Sequence, residues 1–180
     1  MIHAYKRVYQ NVMVRQLDEK DIEQLRLWRN DSSNTAFLRQ IPEISRSQQM
    51  KWFNNYLNNS NEIVFAIEEI KKRQLLVGSA SLYNLENTSA EFGKFLIGRK
   101  GVHGEKIGFN SLKAILSIAF NELELNYVIL HCFEKNKAAM HVYQQAGFVI
   151  TDISNDANGN IEYKMRITKE KFRKEEKNNE

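Results

Sequence analysis

Apolar and polar residues alternate over 8–17 closely enough for a strand, and from Asp18 the spacing lengthens to that of a helix. Asp18 suits an N-cap, and Ile22, Leu25 and Trp28 then share one helical face through residue 28. A loop holding Pro42, the one proline, leads to Ser45, which with Gln48 three residues on reads as a capping box. Met50, Phe53, Tyr56 and Leu57 form the apolar stripe of the helix behind it. Strands over 63–69, 74–82 and 90–97 follow as a meander, with turns at Lys71-Lys72 and Glu86-Asn87-Thr88.

The second half begins with the clearest helix in the chain, 106–123, where Leu112, Ile115, Leu116, Ala119 and Leu123 recur at spacings of three and four. In the strand 127–133, Val128, Leu130 and Cys132 take one face and Tyr127, Ile129 and Phe133 the other. Both faces are therefore expected to be covered, with His131 the exception to the pattern. Asn136 caps a short helix to Ala146, Gly147 suits its C′ position, and a hairpin from Phe148 turns at Asn158-Gly159 into 161–167. Strand, helix and strand over 90–133 make a parallel crossover from the fourth to the fifth predicted strand, and antiparallel strands precede it. The predicted class is α+β: a mixed, mostly antiparallel central sheet with helices on both faces, and a ligand at the open C-terminal end of the crossover strand.

Composition narrows this picture. A chain of 180 residues, 42% hydrophobic, with eight glycines and no Gly/Ser linker or repeat, reads as a single domain over 1–167. Residues 168–180 carry five basic and four acidic groups and only Phe172 as a large apolar one, which reads as a frayed or flexible tail. The +4 net charge is not gathered in a stripe or recognition motif, so no nucleic-acid partner is expected. No apolar run approaches the ~18 to 20 residues of a spanning helix, and the polar start lacks a signal-peptide centre, so a cytoplasmic protein without membrane contact is expected. The lone Cys132 excludes an internal disulfide and a Cys-rich zinc site, and no set of metal ligands is visible.

Candidate chemistry lies in Gly98-Arg99-Lys100-Gly101-Val102-His103-Gly104-Glu105-Lys106-Ile107-Gly108, between the crossover strand and the long helix. Its glycines let the backbone approach a ligand, and the helix start offers unpaired N–H groups and a positive dipole end for a diphosphate. Taken alone the segment is equally a structural turn. It matches neither the Walker lysine loop nor the dinucleotide fingerprint, which sets ATP and NAD aside.

This loop, its helix, the next strand and Asn136-Lys137-Ala138-Ala139-Met140-His141-Val142-Tyr143-Gln144-Gln145-Ala146-Gly147-Phe148 together resemble the acetyl-CoA half of the GCN5-related N-acetyltransferase superfamily, over about residues 90–148. The family's phosphate loop reads Gln or Arg, two residues, Gly, any residue, Gly or Ala; here it is His103-Gly104-Glu105-Lys106-Ile107-Gly108. His103 replaces Gln or Arg, and Lys106 replaces the first Gly. The Lys106 N–H stays available if its backbone adopts the needed conformation, and its ammonium can pair with CoA phosphates. The resemblance implies the acetyltransferase fold and acetyl-CoA as cosubstrate. The loop residues His103 to Gly108, with Asn136, Ala139 and Tyr143, would hold the cofactor. The backbone of Phe95, Leu96 and Ile97, on a strand splayed from its neighbour, would hold the pantetheine and polarise the thioester carbonyl. Tyr143, which read alone is more often a core aromatic than a catalyst, becomes in the resemblance the general acid that protonates the departing thiolate. Glu91 becomes a candidate general base, directly or through water; a rim charge or a binder of the substrate ammonium are its other readings. His131 and Cys132 read as packed or hydrogen-bonded core residues.

For the acceptor, Trp28-Arg29-Asn30, Lys51-Trp52-Phe53 in the second helix and Glu91-Phe92-Gly93 resemble acetyltransferases acting on nucleotide-linked amino sugars, as in pseudaminic acid biosynthesis. Trp28 would stack on a sugar or base while Arg29 and Asn30 bind phosphate or hydroxyls; equally, Trp28 continues the apolar stripe of its helix and the other two end it. Relatives that acetylate protein N-termini or polyamines are the enzymatic alternatives, although Asp31 stands alone against Arg29 and Arg39 where a polyamine site needs acids. A CoA-binding sensor or scaffold is the non-enzymatic alternative, motivated by the altered loop and opposed by Tyr143. Edge strands in this fold often pair, so a homodimer is compatible with the sequence.

Overall fold

The computed structural model describes residues 2–35, 42–102 and 104–177; the sequence-predicted His103 and Arg39 lie outside them. In chain order the elements are β1 (Arg7–Tyr9), β2 (Val12–Gln16), α1 (Glu19–Asn30), α2 (Ser32–Thr35), α3 (Arg46–Leu57), β3 (Glu62–Glu69), β4 (Leu75–Tyr83) and β5 (Ser89–Ile97). Then come α4 (Ile107–Asn121), β6 (Tyr127–Phe133), α5 (Lys137–Gln145), β7 (Val149–Asn155), β8 (Ile161–Thr168) and α6 (Lys169–Lys177). One eight-stranded sheet runs β1-β2-β3-β4-β5-β6-β8-β7, antiparallel throughout except for the parallel pair β5 and β6 joined through α4. This is the expected α+β mixed sheet with its crossover.

Alternation in β3 builds two cores. Ile63, Phe65 and Ile67 face a core shared with Leu112, Ile115 and Ala119 of α4 and with Val128 and Leu130 of β6, whereas Val64 and Ala66 face Leu17, Ile22, Leu25, Trp28 and Phe53. Every one of these side chains is buried, so β3 is covered on both faces. The caps follow the sequence reading: Asp18 accepts from the Lys20 N–H and closes a box with Asp21, and Ser45 closes one with Gln48. Gly147 ends α5 at φ +98°. Among the described helices none is long and apolar enough to cross a membrane.

Three expectations change. The single strand over 8–17 is a hairpin, broken where Gln10 takes φ +56° and Tyr9 pairs with Val12, because α4 packs across both short arms. In α3 the inward position is Gln49 rather than Met50, which is 39% exposed. The segment expected as a frayed tail forms α6 over 169–177. Thr168 Oγ1 caps it by accepting the Lys171 N–H, and the pairs Glu170–Lys174 and Lys171–Glu175 brace its surface. Its one large apolar residue, Phe172, is buried against Phe120, and its Glu176 pairs with Lys113, a buried lysine of α4 whose ammonium lies over the Phe172 ring.

Phe172→Ala is therefore expected to destabilise the whole domain by about 3 kcal/mol, the ordinary cost of a buried ring replaced by a cavity, read as a lowered midpoint in urea with an unchanged slope. A fully flexible tail would leave the midpoint where it was.

Candidate active site

The site begins with a failure of pairing. β5 is nine residues long, yet only Ser89, Ala90 and Glu91 have partners on β6, namely Tyr127, Val128 and Ile129. Beyond Glu91 the parallel strands diverge. On its other side β5 stays paired to β4 through a bulge at which Lys94 takes φ +49°. The remaining backbone of β5, which includes Phe95, Leu96 and Ile97, thus lacks ladder partners on the β6 side, and buried backbone groups of this kind demand partners. Below the gap lies a cleft of about 590 Å³ lined by Phe92, Phe95, Cys132, Asn136 and Tyr143, with Arg29, Glu91 and His131 also on its wall. Of the predicted trio, Phe95 lines this cleft, whereas Leu96 is buried in the core under α1 and α3.

At the end of β5 the chain turns sharply. Gly98 and Arg99 donate to the Val77 carbonyl, and a Cβ on Gly98 would stand 2.2 Å from the Trp28 ring, so only glycine fits. Gly101 and Gly104 both take φ +81°, and Lys106 takes φ +54° immediately before α4. Lys106 thus adopts the left-handed backbone that the family fills with glycine, and its side chain does not cap the helix. The N–H of Asn110 returns to the Lys106 carbonyl, which leaves the first-turn N–H groups of Ile107, Gly108 and Phe109 without intrahelical partners. These are the donors a diphosphate requires. A Cβ on Gly108 would meet only the Phe95 ring at ordinary distance, so this glycine is not forced by packing.

Glu105 does not face the ligand side. Arg73 bonds both its carboxylate oxygens at 2.9 Å and the Gly101 carbonyl at 2.8 Å, closing the loop from behind, and this guanidinium holds the Glu105 carboxyl below its usual range. Arg73 is itself placed by Glu69, a buried carboxylate that accepts the N–H groups of Lys71, Lys72 and Arg73 across the β3–β4 turn. Asn11 completes the frame, its amide donating to the Glu105 carbonyl and accepting from Asn110.

Across the gap, α5 presents Tyr143. Its ring packs against Phe92 and Phe148, it is 7% exposed, and burial, aided by Cys132, raises its hydroxyl well above the ordinary phenol range. Asn136 lines the cleft while its Oδ1 caps α5 by accepting the Ala139 N–H at 3.1 Å; Ala139 packs half-buried against the core. Burial, with Glu162 adding to it, pushes the Cys132 thiol up to about 11.

Glu91 sits where β5 and β6 part. Burial alone would raise its carboxyl, but Tyr83 donates to Oε1 at 2.5 Å, the His131 Nδ1 lies 2.9 Å from the same oxygen, and Asn84 donates to Oε2 at 3.2 Å. Together these donors set it below the ordinary range. Gly93 makes room for this, since a Cβ there would stand 2.9 Å from the Tyr83 hydroxyl. A carboxylate so well supplied with donors is a weak proton acceptor, which counts against Glu91 as the base. His131 is hydrogen-bonded as expected but is not a core residue: its side chain is 35% exposed in the cleft. The strand's period of two could have found it, because His131 falls on the face of Tyr127 and Ile129, opposite the buried Val128, Leu130 and Cys132.

Of Trp28, Arg29 and Asn30, only Arg29 reaches the cleft, which Glu91, Phe92 and Gly93 also line. Trp28 is 7% exposed, wedged between Gly98 and the core, and does not stack on a ligand. The Asn30 amide is spent on the Ile44 backbone, donating to its carbonyl at 2.9 Å and accepting its N–H at 3.0 Å, which pins the chain entering α3.

Because Arg73 braces the loop without lining the cleft, Arg73→Gln should raise the KM for acetyl-CoA, the cosubstrate implied by the resemblance, about fivefold, equivalent to about 1 kcal/mol, with kcat at saturation unchanged. Steady-state kinetics at two salt concentrations would check this, and an equal loss in kcat would place Arg73 in the chemistry instead.

Residues 11–149 match the model of the acetyltransferase (GNAT) domain. The chain is 24% identical over 141 residues to the acetyltransferase PseH of Campylobacter jejuni, covering 78% of this chain and 85% of that one. It is also 24% identical over 138 residues to the spermidine N(1)-acetyltransferase of Vibrio cholerae, covering 76% and 78%. Among solved structures, the spermidine N-acetyltransferase of Vibrio cholerae in complex with CoA and spermine superposes with a TM-score of 0.81 at 21% identity, over 90% of this chain and 98% of that one. An acetyltransferase of the GNAT family from Bacillus anthracis gives 0.77 at 18%, over 92% and 99%. With the parted strands, the glycine-rich turn before α4 and the cleft tyrosine already in place, the match across more than half its length identifies this chain as a member of the acetyltransferase (GNAT) family, an enzyme that uses acetyl-CoA.

Proposed function

We propose that the acceptor is the primary amine of a nucleotide-linked amino sugar. The observation that carries this reading is Arg29, whose guanidinium lines the cleft with no hydrogen-bond partner among the described residues. Burial pulls it below its ordinary value and Glu62 offsets this only in part, yet an arginine stays cationic, so a half-buried charge faces the acceptor space. The carboxylates nearby are already engaged: Glu62 accepts from Lys94 at 2.6 Å, and Glu91 holds Tyr83, Asn84 and His131. A ligand carrying both a phosphate and an amine answers this charge pattern. The resemblance of Trp28-Arg29-Asn30 and Glu91-Phe92-Gly93 to acetyltransferases of nucleotide-linked amino sugars supports the same reading. A polyamine acceptor is the second reading, favoured by Glu91 and Glu162 on the cleft wall and by the spermidine enzymes among the relatives.

Acetyl-CoA supplies the activated acyl group. The free N–H groups at the start of α4 hold its diphosphate, and the unpaired backbone of β5 beyond Glu91 holds the pantetheine and polarises the thioester carbonyl. The neutral amine bonds to the carbonyl carbon and the carbon–sulfur bond breaks, its electron pair passing to sulfur. Tyr143, kept protonated by burial, gives its proton to that sulfur and recovers one from the acylated nitrogen.

A panel of UDP- and dTDP-linked 4-amino sugars, spermidine and peptides with free N-termini, followed by acetyl-CoA-dependent thiol release, tests the acceptor. Turnover of an amino sugar at least 100-fold above the others is expected. Turnover of spermidine or peptides would replace the sugar, and acetyl-CoA binding without turnover across the panel would favour the sensor. Tyr143→Phe should lower kcat about 100-fold with acetyl-CoA affinity nearly unchanged, and an unchanged kcat would remove Tyr143 from the acid role.

A further inference from the structure

We propose that His131, held in place by Glu91, takes the proton from the acceptor ammonium. The inference rests on the amine-acceptor reading above, but not on which amine is used.

An ammonium must lose one proton before its nitrogen can attack, and the cleft holds few groups able to accept it. Tyr143 and the Cys132 thiol are kept protonated by burial, and Arg29 and Lys94 are cations. Glu91 is stabilised as a carboxylate by three donors. Glu162 of β8, paired opposite Phe133, is already engaged in an interaction of its own. An imidazole, by contrast, changes protonation near neutral pH as a matter of its ordinary chemistry.

The geometry assigns its two nitrogens. Nδ1 lies 2.9 Å from Glu91 Oε1, so with the proton on Nδ1 the ring donates to the carboxylate and Nε2 carries the lone pair. No hydrogen bond to Nε2 occurs among the described residues, and the side chain opens on the cleft that Tyr143 also lines. Tyr83 donates to the same Glu91 oxygen, which fixes the carboxylate and through it the ring plane. Taking the proton makes an imidazolium beside a carboxylate, a charge arrangement Glu91 stabilises. Among the described residues, the charged groups sharing the cleft with His131 or paired with it are Glu91 and Lys94 from β5, Lys164 opposite it and Glu162 on β8, and Arg29 of α1. The proton bound at Nε2 leaves to solvent through the exposed edge of the ring, while the second proton of the nitrogen serves Tyr143 as above, so one proton is released per acetyl group transferred.

The test is kcat against pH for wild type, His131→Gln and Glu91→Gln at saturating acetyl-CoA, with a UDP-linked 4-amino sugar and, separately, spermidine as acceptors. Spermidine keeps the comparison open if the sugar is inert, so the acceptor reading can fail while His131 is still tried. His131→Gln is expected to lose about 100-fold in kcat near pH 7, to lose the acid-side inflection of the profile, and to gain rate with rising pH. Glu91→Gln is expected to move that inflection to lower pH, because the imidazolium loses its charged neighbour. The same displacement should be seen in the proton NMR titration of the His131 ring, which needs no acceptor and also reports that the variant is folded. An inflection that persists in His131→Gln, a kcat within threefold of wild type, or a ring titration unmoved in Glu91→Gln would each overturn the proposal.

Discussion

The architecture of the site depends on the parting of β5 from β6 after the pair Glu91 and Ile129. Two parallel strands that stayed zipped would satisfy each other's backbone and leave no cleft between them. By parting, they leave β5 with unpaired peptide groups that a ligand amide can answer, and they open a cleft whose floor is Phe92 and whose far wall is Tyr143. The fold tolerates the separation because both strands are secured elsewhere: β5 by its bulged pairing with β4, and β6 along its full length by β8.

The entrance to α4 shows a second compromise. A lysine in the left-handed region costs about 1 kcal/mol relative to glycine, and Lys106 pays it at the entrance to α4. The surroundings hold that conformation in place. Glu69 fixes the β3–β4 turn through three backbone N–H groups, the turn presents Arg73, and Arg73 grips the loop at Gly101 and Glu105 while Asn11 holds the Glu105 carbonyl. A frame reaching from β2 to α4 therefore keeps the first-turn N–H groups aimed outward, and the departure of Lys106 from the family pattern leaves the backbone geometry intact.

What the sequence made legible was local or periodic. Asp18, Ser45 and Asn136 cap their helices with side chains that reach only two or three residues along, and the crossover announces itself by a change of period. Interactions across the sheet were harder to read. Arg29 could be proposed for the acceptor, but Trp28 and Asn30 beside it are claimed by Gly98 and by Ile44, contacts that arise only once distant segments pack. The pairing of Glu91 with His131, 40 residues apart, needed the parallel register that puts Ile129 beside Glu91 and so brings His131 to the same face. Helix α6 was hidden by composition: a single phenylalanine looks too little to order nine residues. It suffices because Lys113 of α4 lies along that ring and ends on Glu176, so a lysine does the packing expected of an apolar side chain.

Burial in the cleft also sorts its titratable groups. Cys132 lines the same cleft as Tyr143 and would be the stronger nucleophile as a thiolate. Its thiol is pushed up to about 11 by burial and by Glu162, so it remains protonated and inert at neutral pH. The surroundings that raise the cysteine thiol also raise the Tyr143 hydroxyl, since both groups lie where charge is poorly solvated. Glu91 escapes that penalty because Tyr83, Asn84 and His131 supply the hydrogen bonds that water would otherwise give. One cleft thereby favours an ionised carboxylate beside a neutral thiol and a neutral phenol. The difference lies in the donors each is given.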